Sequence, residues 1–288
     1  MGINDGLTIT SDVVKINLHR PNEISKHGNI PTTMAFEAVA AVYCNTMYVS
    51  GLGDNRDEIW KYNMASDWRK CASLVQGRCG HSAAFIDEVL YICGGFVNSS
   101  GMVLDTVEAF NVVTGEINTV GKLDHQVKHS GNCVPFRSSL YIFGGKNKYY
   151  KDLNSVQVYN TKQNTCTLLT KPMPGPSFLM RAALWETSAI LVGQNTCFIF
   201  DFKKESWQER NQFKARVRHF GLVIDDERAF IIGGGDIEYG SSAYECRYDV
   251  RSVPLENILK NKAIKWKSHG ILPKPSLVHT WGKMRMKV

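Results

Sequence analysis

An apolar run ending in glycine comes back five times along the chain, and this recurrence limits what the chain can fold into more than any other feature. The copies are MYVSG ending at Gly51, LYICGG at Gly94-Gly95, LYIFGG at Gly144-Gly145, AILVG at Gly193 and AFIIGG at Gly233-Gly234. Their first glycines lie 43, 50, 49 and 40 residues apart. A period of roughly 40 to 50 residues belongs to arrays in which each repeat is one small sheet whose core is completed by its neighbours. The fullest copy, Arg78 to Gly95 (RCGHSAAFIDEVLYICGG), adds a preceding apolar run and a polar turn at Asp87-Glu88, which reads as a β-hairpin. Its paired glycines let the backbone bend where a side chain would clash.

The segment after each glycine also repeats. A variable polar loop leads to an apolar run with an aromatic residue, then to a fourth run that often carries Trp. Tyr62 precedes Trp68, Phe110 precedes Ile117, Tyr159 precedes Cys166 and Phe200 precedes Trp207. In the fifth copy Tyr248 is followed only by Trp266, which implies an insertion, RSVPLENILKNKAIK, between strands three and four. Four strands per repeat, arrayed radially, predict an all-β chain folded as one six-bladed β-propeller of four-stranded blades over residues 1–288. The expected blades one to five cover about 32–76, 77–124, 125–175, 176–213 and 214–275. A sixth is expected to be split between about 1–31 and 276–288, pairing N-terminal strands with the C-terminal strand to close the ring and leave no open edge.

The double glycine, the aromatic about fifteen residues later and the Trp beyond it resemble kelch repeats, and the likeness covers essentially the whole chain. It departs from the pattern in the single glycines of copies one and four and in the missing Trp of copies two and three. The resemblance implies a non-enzymatic protein-interaction module. Its commonest setting is the substrate-recognition domain of a BTB-kelch adaptor for a cullin ubiquitin ligase, with cullin contact made through regions absent from this chain. The alternative it implies is a cytoskeletal protein that binds or cross-links actin.

Composition narrows the partner class. Hydrophobic residues at 43% and charged residues at 21% suit an ordinary folded domain. A net charge of +7 favours an acidic partner such as an acidic peptide segment or actin. The charge is spread along the chain, with one concentration at Lys260, Lys262, Lys265 and Lys267, and no nucleic-acid motif accompanies it, so no nucleic acid is expected. Eight cysteines stand singly without CxxC spacing, as buried thiols in a reducing compartment do. No run approaches 18 apolar residues and no signal-like segment opens the chain, so no membrane partner and a cytoplasmic location are expected.

The loop before strand one and the loop after strand two must open at the same end of a blade. Arg78 and Arg216, each three residues before a histidine, are therefore expected on the face that carries the post-glycine loops, and the resemblance implies that arginines there contact acidic groups. Arg181, Arg218 and Lys128 are expected to extend this basic rim. The post-glycine loops supply Arg56, Tyr239 and the segment KNKYYK, in which Lys146, Lys148, Tyr149 and Tyr150 combine charge with amphipathic rings. His81, His129, His219 and His279 stand at matching places, which favours repeated structural contacts over a metal or catalytic site. No GxSxG, HExxH or P-loop occurs, and Asp225-Asp226-Glu227 reads as a turn. No catalytic residue, metal or cofactor is expected.

Overall fold

The computed structural model describes residues 12–33, 37–129, 133–175, 180–193, 195–210, 212, 215, 220–237, 244–246 and 249–272. Within them lie five four-stranded antiparallel sheets, each with its strands hydrogen-bonded in chain order. Blade one runs from Val39 to Ser73, blade two from Ser82 to Lys122, blade three from Cys133 to Leu168, blade four from Arg181 to Glu209 and blade five from Gly221 to Ile271. The first strands of consecutive blades touch one another along the whole series, which sets strand one innermost.

Each sheet is buried on both faces because alternate residues of a strand point to opposite sides. Leu90 and Ile92 of blade two pack with Tyr48 and Ile59 of blade one, whereas Cys93 and Val107 pack with Leu140, Ile142 and Tyr159 of blade three. Phe143 of blade three meets Phe200 of blade four, and Ile190 and Val192 of blade four meet Leu222 and Ile231 of blade five. Fully burying one such large apolar side chain contributes about 1.5 to 3 kcal/mol.

The expectation of six four-stranded blades is corrected. The described residues hold five, and the remaining place is taken by a two-stranded sheet, Asp12–Ile16 paired with Ile24–Asn29. Successive residues of its first strand face opposite ways, with Val13 on the core of blade one and Val14 and Ile16 on the core of blade five. A two-stranded hairpin thus joins the last blade to the first. The C-terminal segment 276–288, expected to complete a sixth blade, lies outside the described residues.

The sequence signatures acquire physical meaning in the blades. Phe110 and Ile117, Tyr159 and Cys166, and Phe200 and Trp207 are direct cross-strand partners on strands three and four. Glycine is needed at Gly94 because its φ is +63° and an added Cβ would stand 2.6 Å from the Val127 carbonyl oxygen, where the chain leads into the next blade. The insertion in blade five is shorter than expected, since the third strand continues through Pro254. A helical turn, Leu255–Leu259, follows and buries Leu255 and Ile258. An extra hairpin, Gly235–Ile237 with Tyr244–Cys246, follows the double glycine of this blade. Lys260 and Lys262 both reach Glu256, at 2.9 and 2.7 Å, so part of the basic concentration is neutralised within the insertion itself.

Candidate functional site

The lead-in to strand one and the post-glycine loop do share one end of the blade. Cys79 bridges to Phe96 in blade two, and Lys128 bridges to Lys146 in blade three, with N to O distances of 2.9 and 2.8 Å in the latter. These equivalent bridges also fix the alignment of the repeats. His129 falls at the place of Gly80, not of His81, so its expected equivalence to His81 is corrected.

The described arginines of the expected rim, Arg78 and Arg181, turn inward. Arg78 has no exposed surface, and its guanidinium donates to the Gly94 carbonyl at 3.0 Å, to Thr106 Oγ1 at 3.0 Å and to the Glu108 carboxylate. Glu108, equally buried, also accepts from the backbone N–H groups of Val75 and Gln76 at 2.8 and 3.1 Å. Burial pulls the guanidinium pKa down and Glu108 opposes it. Arg78 therefore braces the connection between blades one and two, and its expected role in meeting a partner is corrected. The backbone of this stretch lies on the loop face, but its side chain fills a polar gap left where the double glycine departs from the ladder.

Arg181 is likewise committed, its Nε donating to the Phe220 carbonyl at 3.1 Å, with burial lowering its pKa against the influence of Glu37. Arg56 is half-buried and donates to the Gly53 carbonyl at 3.2 Å. Arg216, Arg218, Tyr239 and the histidines His219 and His279 lie outside the described residues.

A chain of contacts crosses the lead-ins of blades one to three. Gly80 N–H donates to the Glu37 carbonyl at 3.3 Å, and His129 N–H donates to the Gly80 carbonyl at 2.7 Å. All three residues adopt left-handed backbone, with φ of 65°, 60° and 53° for Glu37, Gly80 and His129. The Glu37 carboxylate reaches over Gly80 to His129 Nδ1 at 2.5 Å, and a Cβ on Gly80 would lie 2.7 Å from that carboxylate. His81 is instead sealed in the core, with Nε2 2.8 Å from Ser50 Oγ, and burial together with Arg78 takes its pKa down to about 3. Both described histidines of the repeat make structural contacts, though different ones.

Among the described residues of this face, Met102 on the loop of blade two is 52% exposed, and the loop of blade three exposes two aromatic rings. Asn147 closes it: its Oδ1 accepts from the N–H groups of Tyr149 and Lys151 at 2.9 and 3.1 Å, and its carbonyl accepts from Tyr150 N–H at 3.0 Å. Lys146 is tied down beneath, its Nζ donating to Asp152 and to the Tyr150 carbonyl. Above this base Tyr149 and Tyr150 remain 77% and 67% exposed. Lys128 is not part of a basic rim, being buried with its Nζ 3.4 Å from the centre of the Tyr150 ring and 5.5 Å from that of Phe96. Lys148 lies over Tyr149 at 5.1 Å. The geometry presents two exposed rings on a turn held by Asn147, with lysines on either side. Among the described residues no group of three or more His, Cys, Asp or Glu side chains is placed to hold a metal.

The seat formed by Lys128 and Phe96, and the Glu37 to His129 link, went unread in the sequence. Aligning the repeats on their double glycines and not on their histidines would have set Lys128 opposite Lys146 and exposed the first of these.

Glycine-ended sheets arrayed about a common centre, with a rigid face of unlike loops, define a β-propeller interaction scaffold. The family model described as the KLHDC2/KLHL20/DRC7 Kelch-repeats domain matches residues 80–281. The chain belongs to the kelch-repeat family, whose domains are in general protein-interaction modules. It is 25% identical to mouse Kelch-like protein 35 over 217 residues, covering 74% of this chain and 37% of that protein. It is 22% identical to Kelch-like protein 25 of Xenopus tropicalis over 246 residues, covering 80% of this chain and 41% of that one. Human Kelch-like protein 23 is 24% identical over 220 residues, covering 74% and 38% respectively. The chain thus spans about two fifths of the length of these curated relatives.

Proposed function

We propose that this propeller is a non-enzymatic recognition domain that captures a protein segment on its post-glycine face, with the Tyr149-Tyr150 turn as the anchor. The observation that carries this reading is the contrast within one loop: Lys146 and Asn147 are spent on holding the turn, while both tyrosines stay exposed. Ordered aromatics on a fixed backbone lose little conformational freedom on binding, and Tyr is enriched at binding hot spots. Lys148 and Lys151, both exposed, favour an acidic segment.

The setting we propose is the substrate-recognition part of a BTB-kelch ubiquitin-ligase adaptor acting in the cytoplasm, in line with the Kelch-like relatives. Cullin contact would then be made outside this chain. The test is co-purification from cells of the full-length gene product with a cullin and with a bound substrate, the latter but not the former being lost on Tyr149→Ala/Tyr150→Ala. Retention of the substrate by that variant would overturn the reading. The net positive charge keeps actin as a second reading, and co-sedimentation with filaments at low salt decides it: absence of pelleting removes actin.

A further inference from the structure

On the opposite face, where the turns between strands one and two emerge, an open cleft of about 550 Å³ separates the N-terminal hairpin from blade five. Its walls are the hairpin turn Leu18 to Glu23, the turn at Asp225 to Arg228, and Lys267 to His269 on the fourth strand of blade five. We infer that this cleft is a second binding site, taking an anionic group, carboxylate or phosphate, on Arg228 with Lys267 beside it.

The charged groups of the cleft are not equally committed. Asp225 Oδ1 is occupied by the turn it closes, accepting from the N–H groups of Glu227 and Arg228 at 2.9 and 2.7 Å. Glu23 is occupied by Asn17 and Arg20, at 2.9 and 3.1 Å. Arg228 differs. Its Nε donates to Ser252 Oγ at 2.9 Å, and Ser252 Oγ lies 2.7 Å from His269 Nε2. This fixes the plane of the guanidinium through one nitrogen. Among the described residues Arg228 makes no ion pair, although three carboxylates, Asp225, Asp226 and Glu227, share its turn. The two terminal nitrogens are left as a fork, the geometry that matches a carboxylate or phosphate.

The cleft is lined by three cations, Arg20, Arg228 and Lys267, and three carboxylates, Glu23, Asp225 and Glu227. Burial first, then Arg228 and Lys267, hold the His269 pKa down. A histidine kept neutral can accept the Ser252 hydroxyl proton, which leaves the serine lone pair for Arg228 Nε, so the positioning network is internally consistent. Arg228 sits on a strand end of blade five and is braced from the next strand, so the site is built on the rigid part of the blade. This inference does not depend on the loop face.

The test is NMR titration of the whole chain at pH 7.5 and constant ionic strength with inorganic phosphate in one arm and acetate in the other, chloride serving as the control. The His269 ring and Arg228 Nε–H signals are expected to shift saturably with at least one of the two anions and not with chloride. Which arm responds decides between a phosphorylated and a carboxylate-bearing ligand. Arg228→Gln is expected to weaken the response at least tenfold, while Lys260→Gln/Lys262→Gln leaves it unchanged. Absence of a saturable shift in both arms, or an equal response in Arg228→Gln, overturns the inference. Should Arg228→Gln fail to fold, the exposed Lys267→Gln is read in its place, with a weakening of at least threefold expected and an unchanged response counting against the site.

Discussion

The Nζ of Lys128 stands 3.4 Å from the centre of the Tyr150 ring, joining the lead-in of blade three to the tip of the loop that follows its double glycine. The two residues belong to segments already joined by the Lys128 to Lys146 backbone bridge. One face of the Tyr150 ring is therefore held from within the protein while the residue as a whole remains 67% exposed. The ring is thus held in place at the surface.

Replacing Lys128 by Met keeps the length and apolar contacts of the side chain and removes the ammonium. A desolvated cation over an aromatic ring contributes about 0.5 to 2 kcal/mol. Urea unfolding of Lys128→Met is expected to show a loss in that range, together with faster motion of the Tyr150 ring by NMR relaxation. Unchanged stability and unchanged ring dynamics would show that the contact carries nothing.

Arg78→Ala leaves Glu108 as a buried carboxylate without its counter-charge. Breaking a buried pair from one side costs about 3 to 5 kcal/mol, so a large fall in the denaturation midpoint is expected. Arg78→Met combined with Glu108→Leu removes both charges and is expected to recover most of that loss. A mild effect of Arg78→Ala would mean that the guanidinium is reached by solvent.

His81 supplies a pH dependence of definite sign. Its folded pKa is depressed to about 3 by burial and by Arg78, whereas an unfolded histidine titrates near 6.5. Between these values the unfolded chain binds the extra proton, so the contribution of His81 is complete above about pH 6.5 and is lost as pH falls toward 3. The slope approaches about 1.4 kcal/mol per pH unit within this window. Stability measured against pH in the wild type and in His81→Gln should differ by that slope below pH 6.5, and parallel curves would contradict the assignment.

Two glycines separate backbone strain from crowding. Gly94 and Gly101 have similar φ, +63° and +68°, but a Cβ on Gly94 would meet the Val127 carbonyl oxygen at 2.6 Å, whereas nothing lies within 4 Å of one on Gly101. Gly101→Ala is expected to cost only the left-handed penalty of about 1 to 2 kcal/mol. Gly94→Ala should cost clearly more by thermal unfolding, and equal costs would show that blade three shifts to make room.

The repeat period, the hairpins, the cross-strand pairing of Phe110, Tyr159 and Phe200 with the fourth strand, and the shared end of lead-ins and loops could be read from the sequence, because each is local or follows from strand alternation. The closure could not. Whether two or four strands fill the place between blade five and blade one depends on contacts between opposite ends of the chain, and the alternating pattern of Val13, Val14 and Ile16 is the same in either case. Side-chain direction was the other gap. Arg78 and Lys128 lie on the expected face by backbone, yet each turns inward to a partner more than fifteen positions away, Glu108 for one and Tyr150 for the other. An arginine that satisfies open carbonyls looks no different in sequence from one that awaits a ligand. The loop KNKYYK was singled out for its charges and rings, whereas the turn that Asn147 closes beneath the two tyrosines was not read.

Whether the tyrosine turn is the anchor is decided by the affinity of the captured segment for three proteins: the wild type, Tyr149→Ala/Tyr150→Ala, and Met64→Ala/Val113→Ala on the opposite face. Met64 and Val113 are 43% and 76% exposed, so their double variant should keep the wild-type melting temperature, whereas Tyr149→Ala/Tyr150→Ala loses the Lys128 contact and is expected to be less stable by about 0.5 to 2 kcal/mol while remaining folded. Loss of the two tyrosines is expected to weaken binding by about 30-fold or more, as removal of hot-spot residues of at least about 2 kcal/mol does, while the opposite-face variant binds as the wild type. Full binding by Tyr149→Ala/Tyr150→Ala, with binding lost in Met64→Ala/Val113→Ala, would contradict a loop-face anchor.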